Sequence, residues 1–335
     1  MNLLPSTEQA EIVEIVRRAF SHFSWRLQSG VEATAMQLTR DTRIWETAAE
    51  MGLFGIGLPQ SVGGSGASLS EEILIQREVG RSLVPGPYLS SMAGAHVLRH
   101  REGRAELDNV LSGDRPIGLA VNLQSPEPSE ASFVVGAERG GLVLALEDGY
   151  ARLYELAEGA VDILSSFDPT VACGRVQFDS GKCIAEVREQ PIISLLELYA
   201  ASQLCGVAEK SLSDSVAYAK SRTQFGTYIG TFQAVKHRCA DMAIRAEGAW
   251  ALTCWASLTA QQETNENSDV LRKAAVAVAS RAAIINSEDN IQNHGGIGFT
   301  AEHSAHVLLR RGHFLSTLCR HGFNGQHDPA PTLGV

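Results

Sequence analysis

Hydrophobic positions recur at two different periods along the chain, and the change of period divides it into three stretches. Ser6, with Gln9 three residues on, forms a capping box, after which Ile12, Ile15, Val16 and Phe20 follow at helical spacing. The first hundred residues continue as helices separated by glycine-rich breaks. Examples are Met51 to Gly66 and Pro85-Gly86-Pro87, where glycines and prolines set tight turns between packed helices. From about Pro116 the pattern shortens to runs at Ile117–Leu123, Ser132–Ala137, Leu142–Glu147, Ala151–Leu156, Ile163–Phe167 and Gly174–Phe178. Glycine and acidic turns separate these runs, which predicts a small antiparallel barrel or sandwich. From Ser194 helical spacing returns and predicts about four helices. Leu204, Ala208, Leu212 and Val216 make one ridge, and Phe232, Val235, Cys239, Met242 and Ala246 a second. An alanine-rich third helix spans Val270–Gln292, with Gly295 as its C-terminal cap. The expected fold is mainly α with a central β domain, divided as a helical domain at 1–113, a β domain at 114–186, a helical bundle at 187–321 and a loose tail at 322–335.

Composition narrows the class of protein. With 335 residues, 44% hydrophobic and 20% charged, the chain can bury a large core in two or three domains. A net charge of −10 argues against nucleic acid as a partner. The six cysteines have no C-x-x-C pair and read as small buried hydrophobes of a reducing cytosol, not as disulfides or metal ligands. The N-terminus lacks the basic and apolar regions of a signal peptide, and no apolar run approaches the roughly 20 residues of a membrane span. The expectation is a cytoplasmic protein with neither membrane nor metal.

Candidate chemistry concentrates in Ser221–Met242, S-R-T-Q-F-G-T-Y-I-G-T-F-Q-A-V-K-H-R-C-A-D-M, a polar, glycine-bearing corner between two long helices. Arg222 offers a planar fork for phosphate, Gln224 an amide and Phe225 a flat ring, while Gly226 and Gly230 let backbone come close to a ligand. The plainer alternative is that Arg222 caps a helix end and the glycines only turn the chain. Lys236, His237, Arg238 and Asp241 beyond it read as a solvated or interhelical face.

R-T-Q-F-G followed by I-G-T-F-Q-A-V-K-H-R-C-A-D-M resembles the signature of the acyl-CoA dehydrogenase family, flavoenzymes that oxidise acyl-CoA thioesters. Gln292-Asn-His-Gly-Gly-Ile-Gly-Phe299 resembles the family's second flavin-contacting segment. The resemblance covers nearly the whole chain and is strongest from about 200 to 315. It implies FAD as cofactor, contacted by Arg222, Gln224, Phe225, Gln233, Gln292, Gly295 and Gly296, and a three-domain fold with a helical N-terminal domain, a middle β domain and a C-terminal four-helix bundle.

The departures from the family pattern are as informative. Where the middle domain of the family contacts the flavin ring, this chain has Asn122-Leu-Gln-Ser-Pro-Glu-Pro-Ser-Glu130, and no tryptophan occurs between Trp45 and Trp250. Phe167-Asp168-Pro169-Thr170 is family-like but reads as a turn. The family removes a proton beside the thioester carbonyl with a carboxylate. Here the usual base position falls on Cys319 and the alternative one on or beside Leu196, leaving Glu197 as the sole nearby candidate. Adjacent helix positions differ by about 100° in direction, so Glu197 need not face the same place. No catalytic residue is therefore assigned, and Glu197 is kept as the one candidate base.

In the family the R-x-Q-F-G arginine and the Q-x-x-G-G segment serve the flavin of an adjacent subunit. The pattern thus resembles the short subunit of bacterial heterotetrameric (α2β2) steroid-type acyl-CoA dehydrogenases, with a homologous chain as partner, an acyl-CoA as substrate and an electron-transfer flavoprotein as acceptor. Two alternatives stay open: a self-sufficient homo-oligomeric dehydrogenase using Glu197, and a non-catalytic structural subunit that binds no flavin.

Overall fold

A computed structural model describes residues 3–28, 42–101, 103–121, 132–136, 141–157, 160–176, 181–262, 266–300, 302–321 and 323. By internal packing the chain divides into two units, one made of residues 1–32, 73–84 and 200–316, the other of 33–72, 85–199 and 317–335. The helices are α1 (Thr7–Gln28), α2 (Thr42–Glu50), α3 (Leu69–Arg81), α4 (Tyr88–Leu98), α5 (Ala105–Leu111), α6 (Glu189–Ser221), α7 (Gln233–Gln262), α8 (Glu266–His294) and α9 (Ala305–His321). The capping box that opens α1 is present: Ser6 N–H donates to Gln9 Oε1 (2.9 Å) and Gln9 N–H to Ser6 Oγ (3.2 Å). Ser68 and Glu71 repeat the device at α3, where Ser68 N–H donates to Glu71 Oε2 at 2.8 Å.

In the first unit, α3 and α6 cross backbone to backbone. A Cβ on Gly80 would lie 2.1 Å from the Gln203 carbonyl oxygen, and one on Gly206 would lie 2.0 Å from that of Arg77. Gln203 donates to Gln76 Oε1 across this crossing at 2.7 Å, with both side chains buried. Arg17 pairs with the buried Glu78 through two bonds of 3.0 and 2.7 Å, which ties α1 to α3. Glu209 on α6 receives Arg77 at 2.9 Å and Arg81 at 3.4 Å. The bundle is keyed by Asn286 on α8, whose amide donates to the carbonyls of Ala208 on α6 (3.2 Å) and Met242 on α7 (2.9 Å). Arg245 Nε in turn donates to Asn286 Oδ1 at 2.8 Å.

The ridge expected on α6 is half right. Leu204 and Ala208 are fully buried, but beyond them the buried line passes to Ser211, Ser215 and Ala219, while Leu212 and Val216 are half-buried. The reason is a polar seam with α8, in which Ser211 Oγ meets Ser287 Oγ at 3.1 Å and Ser215 Oγ donates to Asn290 Oδ1 at 2.9 Å. On α7, Met242 and Ala246 are buried as expected, Val235 and Cys239 half-buried, and Phe232 exposed. Helix α8 ends where expected, with Gly295 at φ +64°.

The second unit holds a seven-stranded sheet in the order β5-β6-β2-β1-β3-β4-β7. Its strands are β1 (Ile117–Val121), β2 (Ser132–Val135), β3 (Leu142–Glu147), β4 (Tyr150–Glu155), β5 (Val161–Leu164), β6 (Cys173–Val176) and β7 (Lys182–Arg188). The sheet is mixed rather than antiparallel throughout, because β1 and β3 pair in parallel with Ile117 opposite Leu142. Periodicity reports a strand but not the direction of its neighbour. The unexpected strand is β7, an edge on which Lys182, Cys183, Glu186 and Arg188 are exposed and no residue is fully buried. One face buries Ala120, Val134, Val143, Ala145, Leu156, Val161 and Val176. Helix α4 clasps β1: Ser91 Oγ accepts from Ile117 N–H at 2.9 Å and Ser90 Oγ donates to Ile117 O at 2.5 Å.

Contrary to the expectation that no apolar run approaches a membrane span, α6 is long and apolar enough for one, a stretch concealed in the sequence by the polar residues that punctuate it. Of its most apolar window, 83% is buried inside the molecule, as in a core helix. The Asn122–Glu130 segment and the tail from 324 lie outside the described residues.

Candidate functional site

The corner between α6 and α7 is a miniature hairpin. Thr223 pairs with Tyr228 and Gln224 with Thr227, and the two turn residues, Phe225 and Gly226, both have positive φ (+53° and +79°). Two positive φ values match the twist of a tight hairpin, and glycine adopts them without cost where phenylalanine does not. The turn lifts the Phe225 ring off the surface, where it is 93% exposed, with the Phe232 ring edge-on at 6.3 Å. Arg222 is anchored by its backbone: its N–H donates to Tyr218 O at 2.8 Å and its carbonyl accepts from Ile229 N–H at 2.9 Å. Its side chain is exposed, and among the described residues no hydrogen bond or ion pair engages the guanidinium. The Arg222 backbone thus closes the last turn of α6, while its side chain caps no helix carbonyl among the described residues. Gln224 and Gln233 are exposed as well. The two glycines of the corner differ. A Cβ on Gly226 would meet nothing within 4 Å, whereas one on Gly230 would lie 2.9 Å from Ala219 O, so Gly230 serves packing against α6 rather than the approach of a ligand.

The second segment leaves α8 at His294 and winds through a short 3-10 turn, Gly295–Phe299. Gln292 and Gly296 are exposed and Gly295 half-buried, and a Cβ on either glycine would meet nothing within 4 Å. Phe299 is 76% exposed. Three side-chain contacts carry α8 along α6 towards Arg222: Ser287 to Ser211, Asn290 to Ser215, and the His294 ring on the Tyr218 ring with centroids 4.3 Å apart. The structure therefore brings both sequence-predicted segments to the same end of the first unit. It presents there an uncommitted cation, flat rings and bare backbone, a set suited to a ligand that carries phosphate and an aromatic ring. Of the polar quartet after the corner, Lys236, His237 and Asp241 are exposed and Arg238 is interhelical, donating to Asn293 Oδ1 at 2.9 Å.

The positions examined for a base have the opposite character. Cys319 on α9 is 5% exposed, and burial pushes its thiol up to about 12. A thiol shifted in that direction stays protonated at neutral pH and does not act as a proton acceptor. Leu196 is fully buried and Glu197 is 3% exposed. Phe167–Thr170 is a turn: the Asp168 carboxylate accepts from Thr170 N–H at 2.9 Å and from its hydroxyl at 2.5 Å. Sequence reasoning gave no role to Tyr218, His294 and His303, whose rings stack; the signal available was His294 inside the quoted segment and the close pair His303 and His306 just after it.

Comparison with known proteins agrees with this anatomy. The acyl-CoA dehydrogenase N-terminal domain matches residues 6–106 and the acyl-CoA dehydrogenase C-terminal domain residues 198–317. The acyl-CoA dehydrogenase IpdE2 of Mycobacterium tuberculosis is 30% identical over 275 residues, which cover 82% of this chain and 81% of that protein. The chain belongs to the acyl-CoA dehydrogenase family. Acyl-CoA dehydrogenase FadE34 of the same organism is 36% identical over 275 residues, 79% of this chain, although the match spans only 38% of FadE34. Among solved structures, the Tcur3481-Tcur3483 steroid ACAD G363A variant shares the fold with a TM-score of 0.75 at 23% identity, over 95% of both chains. The ChsE4-ChsE5 complex from Mycobacterium tuberculosis shares it with a TM-score of 0.75 at 20% identity, over 97% of this chain and 96% of that one. Members of the family are FAD-dependent oxidoreductases acting on CH–CH bonds.

Proposed function

We propose that this chain is one subunit of a heteromeric acyl-CoA dehydrogenase, α2β2 in composition, and that it lends a set of contacts to an FAD whose ring pocket and base come from a homologous partner chain. The contacts are Arg222, Gln224, Phe225, Gln233, Gln292, Gly295 and Gly296. The observation that carries the reading is the state of this set: the side chains are exposed, the guanidinium is unengaged among the described residues, and the glycines face open space. Groups in that state fit a ligand presented from outside the unit. Arg222 would pair with the diphosphate, Phe225 would cover an apolar ring face, and the two glycines would admit the ligand to the backbone. Bound FAD supplies the hydride acceptor.

The substrate on this reading is an acyl-CoA thioester, with a steroid-derived acyl group favoured by the steroid enzyme among the structural neighbours. A partner chain is favoured by the two-chain neighbours and by the lack of a carboxylate at Cys319, whose buried thiol stays protonated at neutral pH. An electron-transfer flavoprotein is the fitting acceptor and the cytoplasm the fitting compartment. The test is to co-express this chain with the product of a neighbouring acyl-CoA dehydrogenase gene, purify the pair, and record flavin absorbance and acyl-CoA oxidation for the pair and for each chain. A yellow, active pair beside a colourless lone chain is expected. A yellow, active lone chain would instead make Glu197 the base of a self-sufficient enzyme, and a colourless, inactive pair would leave a structural subunit.

A further inference from the structure

We propose that His294, in ring contact with both Tyr218 and His303, is the positioning residue that locks the Gly295–Gly296 turn to the Arg222 corner, and that a proton on His303 opens this lock. The inference rests on the reading above, in which both segments contact flavin.

Tyr218 lies one helical turn before Arg222, and its carbonyl accepts the Arg222 N–H at 2.8 Å. Its ring lies 4.3 Å from that of His294, with 31° between the planes. His294 is the last residue of α8, directly before Gly295, and is only 6% exposed. Its Nδ1 is 2.8 Å from Asn290 O, a partner that can only accept, so Nδ1 carries the hydrogen. The His303 ring lies 4.2 Å from that of His294, with 45° between the planes. His303 Nδ1 accepts from the N–H of Ala305, the first residue of α9, at 3.1 Å. That bond requires Nδ1 to be bare, so the structure holds His303 neutral. One column of three rings thus joins the end of α6, the end of α8 and the start of α9.

Protonation of His303 strikes this column in three ways. It turns the Nδ1 acceptor into a donor facing another N–H. It places a cation at the N-terminus of α9, the end that repels positive charge. It also sets that cation against the His294 ring. Burial is the first cause lowering the His303 pKa below the ordinary 6.5, followed by His294; His306 from α9 and Lys210 from α6 lower it further, while Asp214 from α6, paired to Lys210, raises it. A histidine depressed on folding adds stability that is fully present above its unfolded value and lost as pH falls through the folded one. The column is therefore closed at pH 7 and opens in mild acid.

The test uses the flavin-loaded assembly and follows the FAD dissociation constant by flavin fluorescence from pH 5.0 to 8.0, with circular dichroism to confirm folding. His303→Ala should weaken FAD binding about three- to tenfold at pH 7.5, the worth of one ring contact. The parent should lose about tenfold in affinity between pH 7.5 and pH 5.0. His303→Phe, which restores a ring without a titrating group, should hold FAD within about threefold of the parent at pH 7.5 and lose that pH dependence. Identical pH profiles for the parent and His303→Phe, or parent affinity in a folded His303→Ala chain, would overturn the lock. Should His303→Ala fail to fold, the comparison of the parent with His303→Phe decides alone. Arg222→Ala measured alongside separates the two levels. If it weakens binding while the His303 variants track the parent, only the lock fails. If it too leaves binding unchanged, the flavin reading falls and the lock with it.

Discussion

The end of the first unit proposed to contact flavin and the positions of the second where the family resemblance places a base are built on opposite principles. At the first, a cation, aromatic rings and two glycines stand open and uncommitted. At the second, Leu196, Glu197 and Cys319 are sealed in, and the thiol at the family's usual base position is held in its protonated form. A group that serves a ligand carried by another chain must be exposed until that chain arrives. A group that removes a proton must instead be desolvated and still ionise near neutral pH, a condition Cys319 does not meet. On the proposed reading, the difference teaches that one half of an active site can be given up while the other is kept, because the two halves serve different chains.

The largest test of this contrast compares one change at two glycines. Gly206→Val drives a branched side chain into the Arg77 carbonyl, 2.0 Å from where its Cβ would sit, and should destabilise the isolated chain by about 3 kcal/mol or more. Gly296→Val meets nothing in this chain. It should leave the chemical-denaturation midpoint unchanged while the assembled pair loses most of its flavin absorbance. Normal flavin loading in the second variant would remove Gly296 from the site.

Arg222→Ala should be next in size. Loss of one charge-assisted contact costs about 1.5–3 kcal/mol, or roughly 10- to 150-fold in FAD affinity, without a change in the stability of the subunit. Titration of the apo pair with FAD checks both the size and the specificity, and an unchanged dissociation constant would return Arg222 to the plain surface. Smaller still is Glu197→Gln, which should leave turnover of the flavin-loaded pair within about fivefold, against the 10²- to 10⁴-fold loss that follows removal of a general base. A collapse of turnover with FAD retained, together with lost α-proton exchange, would make Glu197 the base. The smallest effect concerns the thiol. With its pKa pushed to about 12 and its side chain buried, Cys319 should be alkylated far more slowly at pH 8 than the exposed Cys183, as peptide mapping would show.

Much of this was legible in the chain because local chemistry dictated it. The Ser6–Gln9 box, the Gly295 cap and the turn at Phe225–Gly226 each follow from residues a few positions apart, and the structure shows all three. What escaped depended on partners far away in sequence. Leu212 and Val216 fit the apolar pattern of α6, yet Ser211 and Ser215 take the buried line because Ser287 and Asn290, more than 70 residues on, supply hydrogen bonds. The parallel pairing of β1 with β3 and the solvent-facing edge β7 escaped for the same reason, since neither direction nor an edge is written in a strand's own period. At the site, the glycines of the corner looked alike, and only the position of Ala219 O separated Gly230 from Gly226. The ring column escaped because a histidine next to two glycines gives no hint of what stacks on it.

The serine and asparagine pairs between α6 and α8 act as a gauge. Were α6 to slide forward one turn along α8, about 5.4 Å, Ser211 would come level with Asn290, but Ser287 would lose its hydroxyl partner and Ser215 its amide. Each buried polar group so orphaned would cost about 1–3 kcal/mol, whereas sliding methyl over methyl costs far less. A purely apolar seam would tolerate several alignments, but this one admits a single alignment. The two helix ends must then stop level with each other, so that a residue inserted between Ser215 and Arg222 would put the arginine out of step with Gly296 by a full 100° of rotation.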